Sequence, residues 1–144
     1  MNSALASTSK HVALLAAVLV TSGIGIGIAV DRVAFAQQPA ITRTVLQTAD
    51  DPGSPKYEAI MAVAVIPAGG TSGRHIHHGI ELAYVLEGSV IIEHEGEAPV
   101  TLKAGDAIKN LMAVHNARNP GSTPVKILGV YIVEKGKPLA EPAK

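Results

Sequence analysis

The sequence contains no cysteine and no tryptophan, and it has only one phenylalanine and three tyrosines. Without cysteine, the chain can form no disulfide, no thiolate metal site, no iron–sulfur cluster and no cysteine nucleophile. Any metal ion must therefore be held by nitrogen and oxygen ligands. Because aromatic rings are scarce, we expect a core packed with valine, isoleucine, leucine and alanine.

An excess of charge of either sign is also absent, since 12 lysines and arginines balance 12 aspartates and glutamates among the 144 residues. The chain has neither the basic surface typical of nucleic-acid binding nor a long acidic tail. We therefore expect no nucleic-acid partner. The length predicts one domain.

The first 36 residues differ in character from the rest of the chain. A positively charged start precedes the uncharged apolar run Val12–Val30, and the tripeptide AFA that follows ends at Ala36. This order is typical of a secretory signal peptide that is cleaved after the last small residue. We predict a signal peptide over residues 1–36, a mature domain over residues 37–144, and an exported protein, either periplasmic or secreted.

An uncleaved N-terminal membrane anchor, with the domain facing the periplasm, is the alternative for this segment. Its apolar run Val12–Val30 is longer than the usual signal-peptide core of about 7–15 residues. It approaches the roughly 20 residues that span a bilayer. The repeated glycines in GIGIGI weaken a helix, which favours the signal peptide. Only an uncleaved segment would give this protein a membrane partner.

Short segments rich in β-branched residues, separated by turn signals, follow one another along the predicted mature domain. Pro67 ends one such segment, and the segments on either side of Glu95-Gly96-Glu97 form a predicted hairpin. No segment sustains helical spacing. The pattern predicts an all-β sandwich or barrel. Residues 137–144 lack this pattern, and we expect them to be a loose tail.

Three histidines, His75, His77 and His78, lie together between apolar runs, and Glu81 follows them. On a strand, His75 and His77 point to one face and His78 points to the other. We therefore interpret His78 as facing away from any ion. Gly79 lets the chain bend without steric cost, so that the Glu81 carboxylate can turn back toward the first two histidines.

A fourth ligand would have to come from a facing strand, and His115 is the best-placed candidate downstream. The set would then provide three imidazole nitrogens and one carboxylate oxygen. Such ligands suit iron, manganese, nickel, cobalt, copper or zinc, and softness alone does not choose among them. Four protein ligands leave one or two positions open on an ion that prefers five or six, where a substrate oxygen or dioxygen can bind.

Five other polar residues have more ordinary interpretations. His94 lies in the charged turn EHEGE, where we expect it to be solvated, and Tyr84 is interpreted as core packing. Asn119 is expected to bond backbone groups in a turn. Arg74 and Arg118 flank the histidines, and either hold an anionic substrate or form surface ion pairs.

Two stretches of the sequence resemble the conserved motifs of the cupin superfamily. The stretch Gly69-x5-His75-x-His77-x3-Glu81-x6-Gly88 resembles the first motif at every spacing. The stretch His115-x3-Asn119, preceded by Gly105-Asp106, resembles the second motif. The interval from Gly105 to His115 is one residue shorter than is usual, and Asn110 and Met112 stand where proline and glycine are customary.

The resemblance implies a double-stranded β-helix, or jelly-roll, barrel. It also implies that one divalent transition-metal ion is bound by His75, His77, Glu81 and His115. Small cupins commonly form homodimers, and short β-barrels often cover exposed apolar faces with a partner subunit. We therefore expect a homodimer that binds a small-molecule ligand or substrate.

Two functions from different classes fit this sequence. The first is an exported mononuclear metalloenzyme of dioxygenase type, with Fe(II) as the favoured ion and a small organic substrate. The same ligands would also serve a non-redox isomerase or decarboxylase. The second is a non-catalytic protein that binds a metal or a small ligand. A purely structural metal is disfavoured, because structural sites commonly include thiolates.

Overall fold

The computed structural model describes residues 40–144. The predicted signal peptide or membrane anchor, residues 1–36, lies outside the described residues. Among residues 40–144, no helix is long and apolar enough to cross a membrane.

Within this range the chain is built from β-strands joined by short turns. The strands are β1 (Thr42–Asp50), β2 (Tyr57–Ile66), β3 (His75–Ile76), β4 (Gly79–Glu87), β5 (Ser89–His94), β6 (Val100–Lys103), β7 (Ala107–Leu111), β8 (His115–Arg118), β9 (Val125–Glu134) and β10 (Glu141–Pro142). The strand before Pro67 and the hairpin of β5 and β6 are where the turn signals predict them. The predicted all-β class is confirmed.

The strands form two five-stranded antiparallel sheets in a double-stranded β-helix. One sheet has the order β1-β2-β9-β4-β7, and the other has the order β10-β3-β8-β5-β6. The jelly-roll barrel implied by the resemblance is therefore present.

Alternate residues of both sheets point inward and form one main core. This core consists of small aliphatic side chains, as the composition predicts: Ala64, Ile66, Ala83, Val85, Val90, Ile92, Leu102, Ala117, Val125 and Ile127. A second cluster, Ala62, Tyr131 and Val133, lies beside it, with Leu139 packed against it. The histidine-rich segment lies at the end of the barrel where β3 and β8 pair.

The C-terminal residues are not a loose tail, and that prediction was wrong. The short strand β10 pairs with β3, so that Glu141 lies opposite Ile76. The Glu141 carboxylate also lies 2.6 Å from His78 Nε2. The segment is held by these contacts and by the packing of Leu139, which a polar, proline-containing sequence does not reveal.

Candidate metal centre

His75, His77 and His115 form one buried cluster at the end of the barrel. β3 pairs with β8 so that His75 lies directly opposite His115, and His77 follows β3 by one residue. The three side chains are 2–6% exposed. Their ring centroids lie 4.4–5.2 Å apart. The pairing of β3 with β8 thus brings together two histidines that are forty residues apart in sequence.

Each of the three rings is oriented by a backbone carbonyl on its Nδ1 side. The Nδ1 atom of His75 lies 2.8 Å from the Gly73 carbonyl oxygen, and that of His115 lies 2.9 Å from the carbonyl of Ala113. The Nδ1 of His77 contacts the carbonyl of Leu139. A carbonyl oxygen can only accept, so Nδ1 carries the proton in every ring. In the neutral ring, Nε2 then keeps its lone pair.

The ligand nitrogens of the three histidines form one group, and the Glu81 carboxylate lies against two of them. His75 Nε2 lies 3.2 Å from His77 Nε2. Glu81 Oε2 lies 3.3 Å from His77 Nε2 and 3.4 Å from His115 Nε2. Ligand atoms at about 2.1 Å from an ion lie roughly 3.0–3.4 Å from their neighbours in octahedral or tetrahedral geometry. These three distances therefore suit donors that share one ion, and the ligand nitrogens of the three histidines all lie within 4.8 Å of one another.

The protonation states of these groups suit a cation. Burial lowers the pKa of His75 to about 4, so this ring is neutral near pH 7. Burial alone would raise the pKa of Glu81, but its polar neighbours His115, His77 and Asn110 outweigh burial and hold that pKa well below its usual range, with the Asn110 amide donating to the carboxylate. An ionised carboxylate thus lies against imidazole lone pairs, and a bound cation would satisfy all of them at once.

Asn110 and His94 form an outer layer that sequence reasoning missed. Asn110 lies opposite Glu81 in the pairing of β4 with β7, is 4% exposed, and donates from its amide nitrogen to Glu81 Oε2. Its amide oxygen lies 2.7 Å from His94 Nε2, which donates to it. His94 is therefore not the solvated turn residue that we predicted. Partners of this kind orient metal-ligating groups.

The remaining predicted residues lie outside the cluster. Arg74 pairs with Glu95 at 2.8 Å, and Arg118 lies 3.3 Å from Glu93 at the surface, so surface ion pairs are the correct interpretation of both arginines. Asn119 is buried and donates its side-chain amide to the backbone carbonyls of Ile66, Pro67 and Thr123. Its predicted turn role is confirmed, and so is the outward orientation of His78.

A small cavity adjoins the cluster inside the barrel. Its volume is about 40 Å³, which gives room for roughly three water molecules. Most of its wall is aliphatic, and Arg43 and Tyr131 line it beside the histidines. The Tyr131 ring packs 4.9 Å from the His77 ring. Tyr84, the tyrosine that we interpreted as core, is instead 45% exposed on the outer face of β4.

Comparisons with known proteins agree with this fold. Residues 62–131 match the family model described as "Cupin domain". No curated protein is significantly similar to this chain in sequence.

Among solved structures, an uncharacterized conserved protein with a double-stranded beta-helix domain from Klebsiella pneumoniae has a TM-score of 0.60. It is 21% identical over 80% of this chain and 95% of that chain. A cupin-like protein from Thermotoga maritima has a TM-score of 0.58 at 20% identity, over 72% and 75% of the two chains. The DMSP lyase DddQ from Ruegeria pomeroyi has a TM-score of 0.56 at 21% identity, over 72% of this chain and 51% of the lyase. At such identities the similarity shows a shared fold.

Proposed function

We propose that the three buried histidines and Glu81 of this cupin domain, which the family model matches over residues 62–131, bind one divalent transition-metal ion. We propose further that the protein is a mononuclear metalloenzyme of dioxygenase type that acts on a small organic substrate. The observation that carries the proposal is the arrangement of the imidazoles. Each Nδ1 proton is directed to a backbone carbonyl, which leaves every Nε2 lone pair for the ion.

The other groups in the cavity are suited to holding a ligand next to that ion. Burial and the nearby charge of Glu81 raise the pKa of Tyr131, so its phenol stays protonated near pH 7 and can donate a hydrogen bond. The aliphatic wall gives such a ligand a mainly apolar environment. A bound Fe(II), the favoured ion, would supply redox chemistry and open coordination positions for substrate and dioxygen.

A non-catalytic binding protein is the second candidate, and it is favoured because, among residues 40–144, no carboxylate or imidazole other than the four proposed ligands lines the cavity. To separate the two functions, the full chain is purified and its metal content is measured. It is then reconstituted with Fe(II) without air and tested for oxygen uptake with small organic acids. We expect about one equivalent of metal, and oxygen uptake that stops when the ion is removed by a chelator.

Each result of that experiment has a defined meaning. A chain that holds no metal even after reconstitution contradicts the metal site. A chain that holds one equivalent but consumes no oxygen contradicts the dioxygenase assignment and leaves the binding function, or the non-redox isomerase or decarboxylase. The binding function predicts thermal stabilisation by a ligand without its consumption.

We also propose that the protein is a homodimer, formed through the outer face of the β1-β2-β9-β4-β7 sheet. Ile80, Leu82 and Tyr84 on β4 are 41–53% exposed. Ile80 lies opposite Ile132 of β9 and Leu111 of β7, which are also exposed, so the apolar side chains are contiguous. Contiguous apolar surface of this kind marks an interaction site.

A charge in the centre of this face should separate the subunits. We expect light scattering after size exclusion to give twice the chain mass for the parent protein and for Val100→Lys, a control on the other sheet. Leu82→Lys should give the mass of one chain, because the introduced ammonium cannot be desolvated between two apolar faces. A monomeric parent, or a Leu82→Lys variant that remains dimeric, would rule out this interface.

A further inference from the structure

Resting on the metal site proposed above, we propose that Arg43 binds the carboxylate of a small organic anion held in the cavity beside the metal ion. The substrate class would then be small carboxylic acids. Arg43 is not among the candidate residues chosen from the sequence. The two arginines that were chosen, Arg74 and Arg118, form ion pairs at the surface.

The position of Arg43 in the sheet directs its side chain into the barrel. In the pairing of β1 with β2, Arg43 lies opposite Ala64, a core residue that is 7% exposed. Its neighbours Thr42 and Thr44 are exposed. Arg43 lines the same cavity as the three histidines, Glu81 and Tyr131. The guanidinium group therefore shares one small space with the proposed ion.

Arg43 is half-buried, and the buried part of its guanidinium group lacks a partner. Its Nε is buried and has no hydrogen-bond partner among residues 40–144. No carboxylate of those residues forms an ion pair with it, whereas Arg74 and Arg118 both have a glutamate. A buried, unpaired donor on a charged group costs free energy. Such a cost is expected where a ligand supplies the missing acceptor.

The charge and the size of the cavity indicate what this ligand is. Three neutral imidazoles and one carboxylate would leave a divalent ion with one net positive charge, and Arg43 adds a second. Arginine presents parallel N–H groups that match the two oxygens of a carboxylate. The aliphatic walls and the cavity volume of about 40 Å³ limit the remainder of the ligand to a few carbon atoms.

Propionate and its neutral isostere propionamide provide the test. The full chain is loaded with Zn(II), a redox-silent probe, and its zinc content is measured before calorimetric titration with each compound. We expect propionate to bind at least tenfold more tightly than propionamide. Arg43→Met should abolish that difference while keeping its zinc, and Arg118→Met, the surface control, should bind like the parent.

Thermal unfolding without ligand separates a binding role from a structural one. If the role of Arg43 is to bind an anion, Arg43→Met should raise the melting temperature by a few degrees, since it removes a half-buried, unpaired charge and keeps the aliphatic stem. A fall in melting temperature would indicate a structural arginine and overturn the inference. Arg43→Lys, which keeps the charge without the paired donors, should recover only part of the preference for propionate.

The failures of the two proposals are distinguishable. A parent chain that takes up no zinc contradicts the metal site, and this inference fails with it. A zinc-loaded parent that binds propionate no more tightly than propionamide, including a parent that binds neither, overturns this inference alone. An Arg43→Met variant that keeps the preference, or an Arg43→Lys variant that binds like the parent, also overturns it.

Discussion

Replacing His77 with alanine should reduce bound metal from about one equivalent to less than a tenth. His77 is 2% exposed, and its Nε2 lies 3.2 Å from His75 Nε2 and 3.3 Å from Glu81 Oε2. Without this nitrogen, His75 Nε2 and Glu81 Oε2 lose the donor atom that lies next to both of them. Loss of an outer-shell partner typically weakens metal binding by about 10–100-fold, so the loss of a direct ligand should exceed a hundredfold. Metal analysis and competition with a chromogenic chelator measure both quantities.

The chain offers a matched control in the next residue. His78 pairs with Glu141 and lies outside the cluster, so His78→Ala should keep the full metal content. Because both substitutions remove one imidazole from the same segment, a difference between them reports on the position of the ring. A His77→Ala variant that still binds metal like the parent, or a His78→Ala variant that loses it equally, would place the ion elsewhere.

Asn110 should have an intermediate effect in the same series. Its amide orients Glu81 without approaching the ion, so Asn110→Ala should weaken metal binding by about 10–100-fold with the fold retained. Asn116, whose amide bonds Glu93 on the other side of β8, is the control and should have no effect.

The four proposed ligands could be chosen from the sequence because local geometry brings most of them together. Two-residue spacing placed His75 and His77 on one side, and the cupin spacing selected Glu81 and His115. The structure places these four side chains in one buried cluster, and their role as ligands stays a proposal. What the spacing could not give is the pairing of His75 with His115, because register between distant strands depends on the whole sheet.

The groups that support the site were missed for the same reason. Leu139 acts through a carbonyl oxygen, which every residue has, so no sequence signal marks it. Asn110 acts only because β7 places it opposite Glu81. Arg43 left a weak signal, since Ile41 and Arg43 alternate with Thr42 and therefore share a face.

The departures from the cupin pattern before His115 have a physical meaning. Met112 adopts a φ of 49°, the left-handed conformation that the customary glycine would supply. That conformation costs a non-glycine residue about 1–2 kcal/mol. The loop therefore keeps its shape without the glycine. At the customary proline position, Asn110 adds a side-chain donor that proline cannot provide.

Substituting Gly79 with alanine should destabilise the domain by about 3 kcal/mol or more, the second large effect that we predict. A Cβ at this position would lie 2.0 Å from the carbonyl oxygen of Ile132 and 2.9 Å from the Cα of Val133. Both are backbone atoms of β9, which cannot rotate away as a side chain can. The strands β4 and β9 would have to separate where Gly79 pairs with Val133.

The same separation should weaken metal binding, because Gly79 lies two residues from His77 and two from Glu81. Gly105→Ala is the control, since Gly105 has a φ of 98° but a Cβ at that position would meet no atom within 4 Å. It should cost only about 1–2 kcal/mol from backbone strain and leave metal binding unchanged. Urea unfolding of the metal-free proteins and metal titration of the folded ones measure the two effects. Equal destabilisation by both substitutions would mean that conformational strain, and not the approach of β9, requires glycine at position 79.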